Sequence, residues 1–180
     1  MRKYFLTSAV SLLIATNVNA QIIDAAGQFM ATVVVSTATK LECTGQLAAQ
    51  LLVTDVTQEM SVTVNPEGYA MSDGSNAISV SGDVPTCTLS NGIFDDVNNI
   101  QITSMNASEE DSFKLVHYGE TSDTNLPTLS NIKFLLSEDK KSVNIGGTFN
   151  IPANLNLGTF NELENFAQYM TYLNIAYVSE

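Results

Sequence analysis

A chain of 180 residues with 19 acidic and 7 basic side chains carries a net charge of −12. A field of that sign repels nucleic acid and anionic lipid surfaces, so neither is an expected partner. The length suits one domain with a substantial core, and with aromatics at 8% and no tryptophan no stacking platform for bases or sugars is visible.

In chain order, residues 1–20 read as a signal peptide. Arg2 and Lys3 form the charged start, Tyr4 to Ala15 the apolar run, and Val18-Asn19-Ala20 a small-residue cleavage site before Gln21. The apolar run falls short of the roughly 20 residues a membrane span needs. No Cys follows the cleavage site, so no lipid anchor is expected. The expected product is a single domain over 21–180, exported through a periplasm to the cell surface or the medium, without membrane insertion.

Phe29 to Leu41 alternates as a first strand, with Phe29, Ala31, Val33 and Val35 on one face and Met30, Thr32, Val34 and Ser36 on the other. Gln46 to Val53 fits either a short strand or one helical turn. Met60, Val62 and Val64 alternate clearly and stop at the Pro66-Glu67-Gly68 turn; Asp73-Gly74 then leads into Ile78 and Val80. Thr86 to Leu89 ends at Asn91-Gly92. Ile100 and Ile102 mark another strand. Phe113, Leu115 and His117 share the face of the next, and Ile132, Phe134 and Leu136 that of one more. In Lys141 to Ile151, Val143, Ile145, Phe149 and Ile151 alternate with polar residues, and Gly146-Gly147 is read as a strand bulge. Phe160, Leu163, Ala167 and Met170 have the spacing of a short helix, although a wide loop fits as well. Leu173, Ile175 and Tyr177 form the closing strand. Short strands with turn chemistry about every ten residues predict an all-β antiparallel sandwich.

Cys43 and Cys87 are the only cysteines, and an even number in an exported chain predicts one disulfide. The loop it closes is long enough for roughly 4 kcal/mol of stabilisation in the chain-entropy account. His117 is the only histidine and no Gly-x-Ser-x-Gly elbow is present, so it reads as a strand residue and not a triad member. Asp95-Asp96 and Glu109-Glu110-Asp111 lack calcium-loop spacing and read as solvated loop charge, with calcium capture the sharper alternative. Gly146-Gly147 is followed by no Lys-Ser/Thr, so it is no phosphate loop. Asn106-Ala107-Ser108 fits the glycosylation sequon. Neither a cofactor nor a catalytic centre is expected.

The run Gly146-Gly147-Thr148-Phe149-Asn150-Ile151-Pro152-Ala153-Asn154, then Gly158-Thr159-Phe160 and an alternating strand ending in Tyr177, resembles the C-terminal end of a family of secreted bacterial β domains of unknown function. That family is in turn similar to subunits of chaperone–usher pili. Its opening, a Thr/Val-rich strand just after the signal peptide, resembles Ala31 to Leu41. Two features depart from the pattern: Asn161 to Gln168 is inserted after Phe160, and Val178-Ser179-Glu180 follows Tyr177.

The resemblance implies an immunoglobulin-like, pilin-like sandwich that lacks its last strand. A periplasmic chaperone fills the resulting groove, an outer-membrane usher guides assembly, and the N-terminal strand of a neighbouring subunit replaces the chaperone by strand addition. On this reading Phe29, Ala31, Val33 and Val35 are the donor face, and Leu173, Ile175 and Tyr177 lie on the strand that borders the acceptor groove. The expected partners are copies of the chain or related subunits. The alternative is a self-complemented adhesin or ligand-binding module in which Phe29 to Leu41 is an ordinary first strand.

Overall fold

The computed structural model describes residues 39–104, 112–117, 125–157 and 167–178. In chain order these residues form β1 (Leu41–Thr44), β2 (Ala48–Val53), β3 (Met60–Val64), β4 (Ala70–Ser72), β5 (Ala77–Asp83) and β6 (Thr86–Leu89). After a 3₁₀ turn at Val97–Asn99 come β7 (Ile100–Ser104), β8 (Ser112–Lys114), β9 (Val116–His117), β10 (Thr128–Leu136), β11 (Ser142–Ile151), β12 (Tyr169–Met170) and β13 (Leu173–Tyr177). Every pairing among them is antiparallel. Thr37–Glu180 forms one compact unit. The chain is all-β, as its two-residue periodicity predicts.

The long strand β11 is the organising element. Val143, Ile145 and Phe149 turn into the core while Ser142, Asn144 and Asn150 turn outward. β10 is hydrogen-bonded along one edge of β11, and the other edge is shared end to end by β6, opposite Ser142 to Asn144, and β3, opposite Gly147 to Ile151. Where β3 ends, the chain turns off through Asn65-Pro66 and comes so close to β11 that only a glycine fits. A Cβ on Gly146 would lie 2.5 Å from the Val64 carbonyl oxygen and 2.7 Å from the Pro66 ring. Asn144 secures the same corner, its Nδ2 donating to the Pro66 carbonyl at 3.2 Å.

Two ribbons, β2–β5 and β7–β13, cover the apolar face of this sheet. Under the first lie Val62, Val64, Leu129 and Phe149, with Leu51 and Val80 packed against them. Under the second lie Cys87, Leu89, Phe94, Val143 and Ile145, with Ile175 and Tyr177 above. Ile102 and Ile132 pack against both clusters and join them. The sheet's opposite face carries polar side chains bonded across strands: Thr63 to Thr148 (3.1 Å), Thr86 Oγ1 to Asn144 Oδ1 (2.8 Å) and Asn150 Nδ2 to Ser130 Oγ (2.9 Å). Cross-strand pairs of this kind fix register on a face that burial alone leaves free to slip.

Several expectations are corrected. The bulge expected at Gly146-Gly147 lies instead in the neighbouring strand β10, where register shifts between Ser130 and Lys133 and Asn131 takes a φ of 49°. The glycines answer close approach, the bulge answers the change of register, and the two sit opposite each other. Phe113, Leu115 and His117 do not share one strand. β8 pairs with β10, β9 pairs with β12, and Leu115 lies between them, buried with Phe113, because the chain changes partner there. Ile78 does not share the fate of Val80: a register shift between Leu52 and Val53 leaves Ile78 as the extra residue of β5, and it is 61% exposed. Met170, assigned a helical spacing, is in strand β12; Phe160 and Leu163 lie outside the described residues. The ambiguous segment at Gln46 to Val53 is strand from Ala48 on, and β4 had no alternation to announce it.

Carboxylates fasten two turns and the open end of the β3–β4 pair. Asp55 Oδ1 accepts from the Thr57 hydroxyl (2.6 Å) and N–H (3.0 Å), Asp73 Oδ1 from the Ser61 N–H (2.6 Å), and Asp139 Oδ1 from the Ser137 hydroxyl (2.7 Å) and the Lys141 N–H (3.1 Å). These bonds hold all three carboxyls below the ordinary value of 3.8: for Asp55 chiefly the Thr57 hydroxyl, for Asp73 the Ser61 backbone, and for Asp139 the Ser137 hydroxyl. A depressed folded pKa gives stability that is full above the unfolded value and lost as pH falls through the folded one. The difference in thermal midpoint between the native chain and Asp73→Ala should therefore be constant above about pH 5 and close as pH drops below the carboxylate range. Thermal melts at a series of pH values check this, and a difference that widens on acidification contradicts it.

Candidate groove between the layers

β1 and β13 lie at the margins of opposite layers, and between them runs a groove of about 540 Å³. Thr39, Leu41 and Leu89 form one wall, and Ile175, Ala176 and Tyr177 the other. Asn91, Ile93 and Asp95, from the loop that joins β6 to the 3₁₀ turn, line it further. The surface is mixed, with branched aliphatic side chains beside hydroxyl, amide and carboxylate groups.

Hydrogen-bond phase gives the groove its chemistry. Val178 N–H donates to the Asn99 carbonyl at 3.1 Å, so positions 178, 176 and 174 turn their main-chain groups toward β7. In an antiparallel ladder the alternate residues then project N–H and C=O from the other edge. Those residues are Leu173, Ile175 and Tyr177. The same argument applies to β1. Ser90 N–H donates to the Lys40 carbonyl at 2.9 Å, so positions 40, 42 and 44 face β6 and the main chain of Leu41 and Cys43 faces outward. Among the described residues neither outward edge has a partner strand. Two strand edges with no partner strand among the described residues, bordering one concavity, form a template for an added strand.

The β13 wall is anchored from behind. Phe94 is fully buried and meets the Tyr177 ring edge-on, with centroids 5.0 Å apart and planes at 73°. The Tyr177 hydroxyl accepts from the Asp95 N–H at 2.8 Å, and Phe94 N–H donates to the Lys140 carbonyl at 2.7 Å. One loop is thus pinned to both layers. Asp96, expected to be solvated loop charge, caps the following 3₁₀ turn, its Oδ1 accepting from Asn98 N–H at 2.9 Å.

The β1 wall is held differently. Of its residues only Leu41 is half-buried; Glu42, Cys43 and Thr44 are exposed, and Lys40 pairs with Glu42 at the surface. It is attached to β6 by a four-residue ladder and to the residues just beyond β6 by the Ser90 N–H bond to the Lys40 carbonyl (2.9 Å), the Lys40 N–H bond to Ser90 Oγ (3.1 Å) and the Thr39 Oγ1 bond to the Asn91 carbonyl (3.0 Å), with the Cys43–Cys87 disulfide, Cα to Cα 4.0 Å, across the ladder. The two cysteines face each other across a non-hydrogen-bonded pair, the position where strands approach most closely.

Of the sequence candidates, Cys43 and Cys87 form the expected bridge. Ile175 and Tyr177 line the groove, whereas Leu173 packs beside the other core cluster. Phe29, Ala31, Val33 and Val35 lie outside the described residues, as do Asn106 and Glu109-Glu110-Asp111. His117 stands in β9 opposite Tyr169. Among the described residues no three His, Cys, Asp or Glu side chains are grouped to hold a metal ion, and no helix is long and apolar enough to cross a membrane. A second concavity, of about 620 Å³, is lined by Gly45, Gly68, Gly82 and Asp83. Gly82 and Asp83 belong to the end of β5, and Asp83 is the one carboxylate in its lining. Leu41, read as the end of the first strand, instead opens β1, and Phe94 escaped the sequence reading; an aromatic between the turn signal Asn91-Gly92 and Asp95-Asp96 was the available clue to it.

Comparison with protein-family models, with characterised proteins and with solved structures finds no match for this chain.

Proposed function

We propose that this chain is a non-catalytic structural subunit of a secreted bacterial surface fibre, joined to its neighbours by a strand laid into the groove between β1 and β13. The observation that carries this reading is the pair of outward hydrogen-bonding edges, at Leu41 on one rim and at Ile175 and Tyr177 on the other, with the largely buried Leu89 lining the groove between them. An incoming strand bonds its main chain to those edges and sets alternate side chains against Leu41, Leu89 and Ile175. Phe29, Ala31, Val33 and Val35 supply that alternation from within the same sequence. The resemblance of the chain ends to pilin-like β domains agrees with it. A chaperone and an usher are then the expected assembly partners. A disulfide and the absence, among the described residues, of a membrane-spanning helix are compatible with export.

The test is an unboiled denaturing gel of cell-surface extracts from cells that express the native chain or a deletion of 29–35. The native chain should give a ladder that collapses to monomer on boiling, and the deletion should give monomer alone. A single monomer band for the native chain in both lanes removes the fibre reading and leaves the self-complemented adhesin module.

A further inference from the structure

We propose that Asn91 is a self-modifying site: the Gly92 nitrogen displaces its side-chain amide, and the carboxylate that results weakens the groove's hold on an added strand. The effect on binding rests on the strand-accepting reading above; the modification itself does not. Asn91-Gly92 is the only Asn-Gly pair in the chain, and Asp73-Gly74 the only Asp-Gly pair. In both, the glycine carries no Cβ to hinder attack of its nitrogen on the preceding side chain. The structure separates the two. Asn91 and Gly92 are exposed, and both line the groove. Neither the Asn91 side-chain amide nor the Gly92 N–H is hydrogen-bonded among the described residues. The space is open as well: the nearest atom to a Cβ on Gly92 would be Thr39 Cγ2, at 3.7 Å. Asp73-Gly74 is locked. Asp73 Oδ1 accepts from the Ser61 N–H at 2.6 Å, Asp73 N–H donates to the Ser61 carbonyl at 3.2 Å, and Gly74 N–H donates to Ser72 Oγ at 3.1 Å. The Ser61 backbone also holds the Asp73 carboxyl below its ordinary value, ionised and so a poor target for a nitrogen nucleophile.

The chemistry needs only water and hydroxide. The Gly92 nitrogen gives its proton to hydroxide and attacks Asn91 Cγ. The new N–Cγ bond closes a succinimide ring, the Cγ–Nδ2 bond breaks, and ammonia leaves with a proton taken from water. Water then opens the ring, its hydroxyl adding to one carbonyl carbon and its hydrogen going to the nitrogen. Attack at Cγ restores the main chain and leaves an aspartate. Attack at the main-chain carbonyl carbon leaves an isoaspartate, whose backbone runs through Cγ and is one methylene longer. Either product sets a carboxylate on the rim where Asp95 already stands. A strand that covers the groove has to strip water from that charge, at a cost an uncharged amide does not carry. In the isoaspartate, moreover, the Asn91 carbonyl that accepts from Thr39 Oγ1 at 3.0 Å is itself the new carboxylate, so the start of the β1 wall is re-tied.

The experiment ages the full exported chain and Asn91→Gln at neutral and at mildly alkaline pH. Peptide mass mapping follows every asparagine, and enzymatic methylation of isoaspartate reports on Asn91 and on Asp73-Gly74. Anion exchange separates the converted chain from the fresh one, and each is titrated with a fluorescein-labelled peptide of residues 27–37. Expected is a mass gain of about one dalton confined to the peptide that holds Asn91. It should come faster at alkaline pH and be absent from Asn91→Gln, with Asp73-Gly74 unmethylated. The converted chain should bind the labelled peptide roughly tenfold more weakly than the fresh one. Conversion spread evenly over the asparagines, or isoaspartate at Asp73-Gly74 before Asn91, overturns the site. Equal binding by fresh and converted chains overturns its effect on the groove. If Asn91 converts but the peptide binds neither chain, the modified site stands and the strand-accepting reading falls.

Discussion

Phe94→Ala is expected to cost this protein about 3–5 kcal/mol, the range for emptying a fully buried aromatic site. Phe94 is 0% exposed, so the whole side chain lies in the core, and its edge-on contact with Tyr177 adds to the burial. Against a total stability of roughly 5–15 kcal/mol this removes a large fraction, and for a chain of this size it lowers the thermal midpoint by on the order of 10 °C. The loss is also local. Without Phe94 the Tyr177 ring has no backing, and the hydroxyl that accepts from Asp95 N–H is free to swing, which loosens the β13 rim of the groove. Tyr177→Phe keeps the ring contact and deletes one partly exposed hydrogen bond, so it should cost only about 1 kcal/mol. Denaturant titration of the two variants beside the native chain measures the contrast. A Phe94→Ala cost no larger than that of Tyr177→Phe would show that the loop is not pinned through this ring.

Gly146→Ala should be as damaging, for the opposite physical reason. Its added methyl meets main chain, with the Val64 carbonyl oxygen at 2.5 Å and the Pro66 nitrogen and ring carbon at 2.7 Å. Neither can rotate away as a flexible side-chain tip does. The strand must shift, and with it either the β3 pairing opposite Gly147 to Ile151 or the β6 pairing opposite Ser142 to Asn144. Overpacking of this kind costs typically 1–3 kcal/mol and more where backbone is the obstacle. Gly68→Ala is the control. A Cβ there meets nothing within 4 Å, and the only penalty is its φ of +93°, of order 1–2 kcal/mol. A chain that tolerates Gly146→Ala better than Gly68→Ala refutes the close approach of β3 and β11. Circular dichroism melts and yield of soluble protein are sufficient readouts.

The strand alternations at Met60 to Val64, Val143 to Ile151 and Leu173 to Tyr177 were legible because burial on one face leaves a period of two in the side chains. The bridge was legible from a count of two cysteines. The groove was half legible. Ile175 and Tyr177 could be assigned to a closing strand, but nothing in the sequence places β1 across from it, because each strand names its buried face and not its neighbour. The edges that pair are main chain, identical at every residue, so partner choice is settled by what packs above and below.

That limit explains the corrections. Gly146-Gly147 announced that something unusual happens at that point in β11, and only the packed sheet showed that β3 and β6 meet there on one edge while the irregularity is taken up by β10. Phe113 and Leu115 are both buried as their apolar character requires, yet just beyond Leu115 the chain leaves one sheet for another. The sequence by itself determined that the chain is all-β, where the clearest strand alternations turn their apolar faces, and that two sulfurs are joined. Tertiary structure alone decided the order of the strands, the site of each bulge and the existence of a groove with two open edges. Side-chain polarity is written locally along the chain, whereas hydrogen-bonding partners are selected across it by long-range packing.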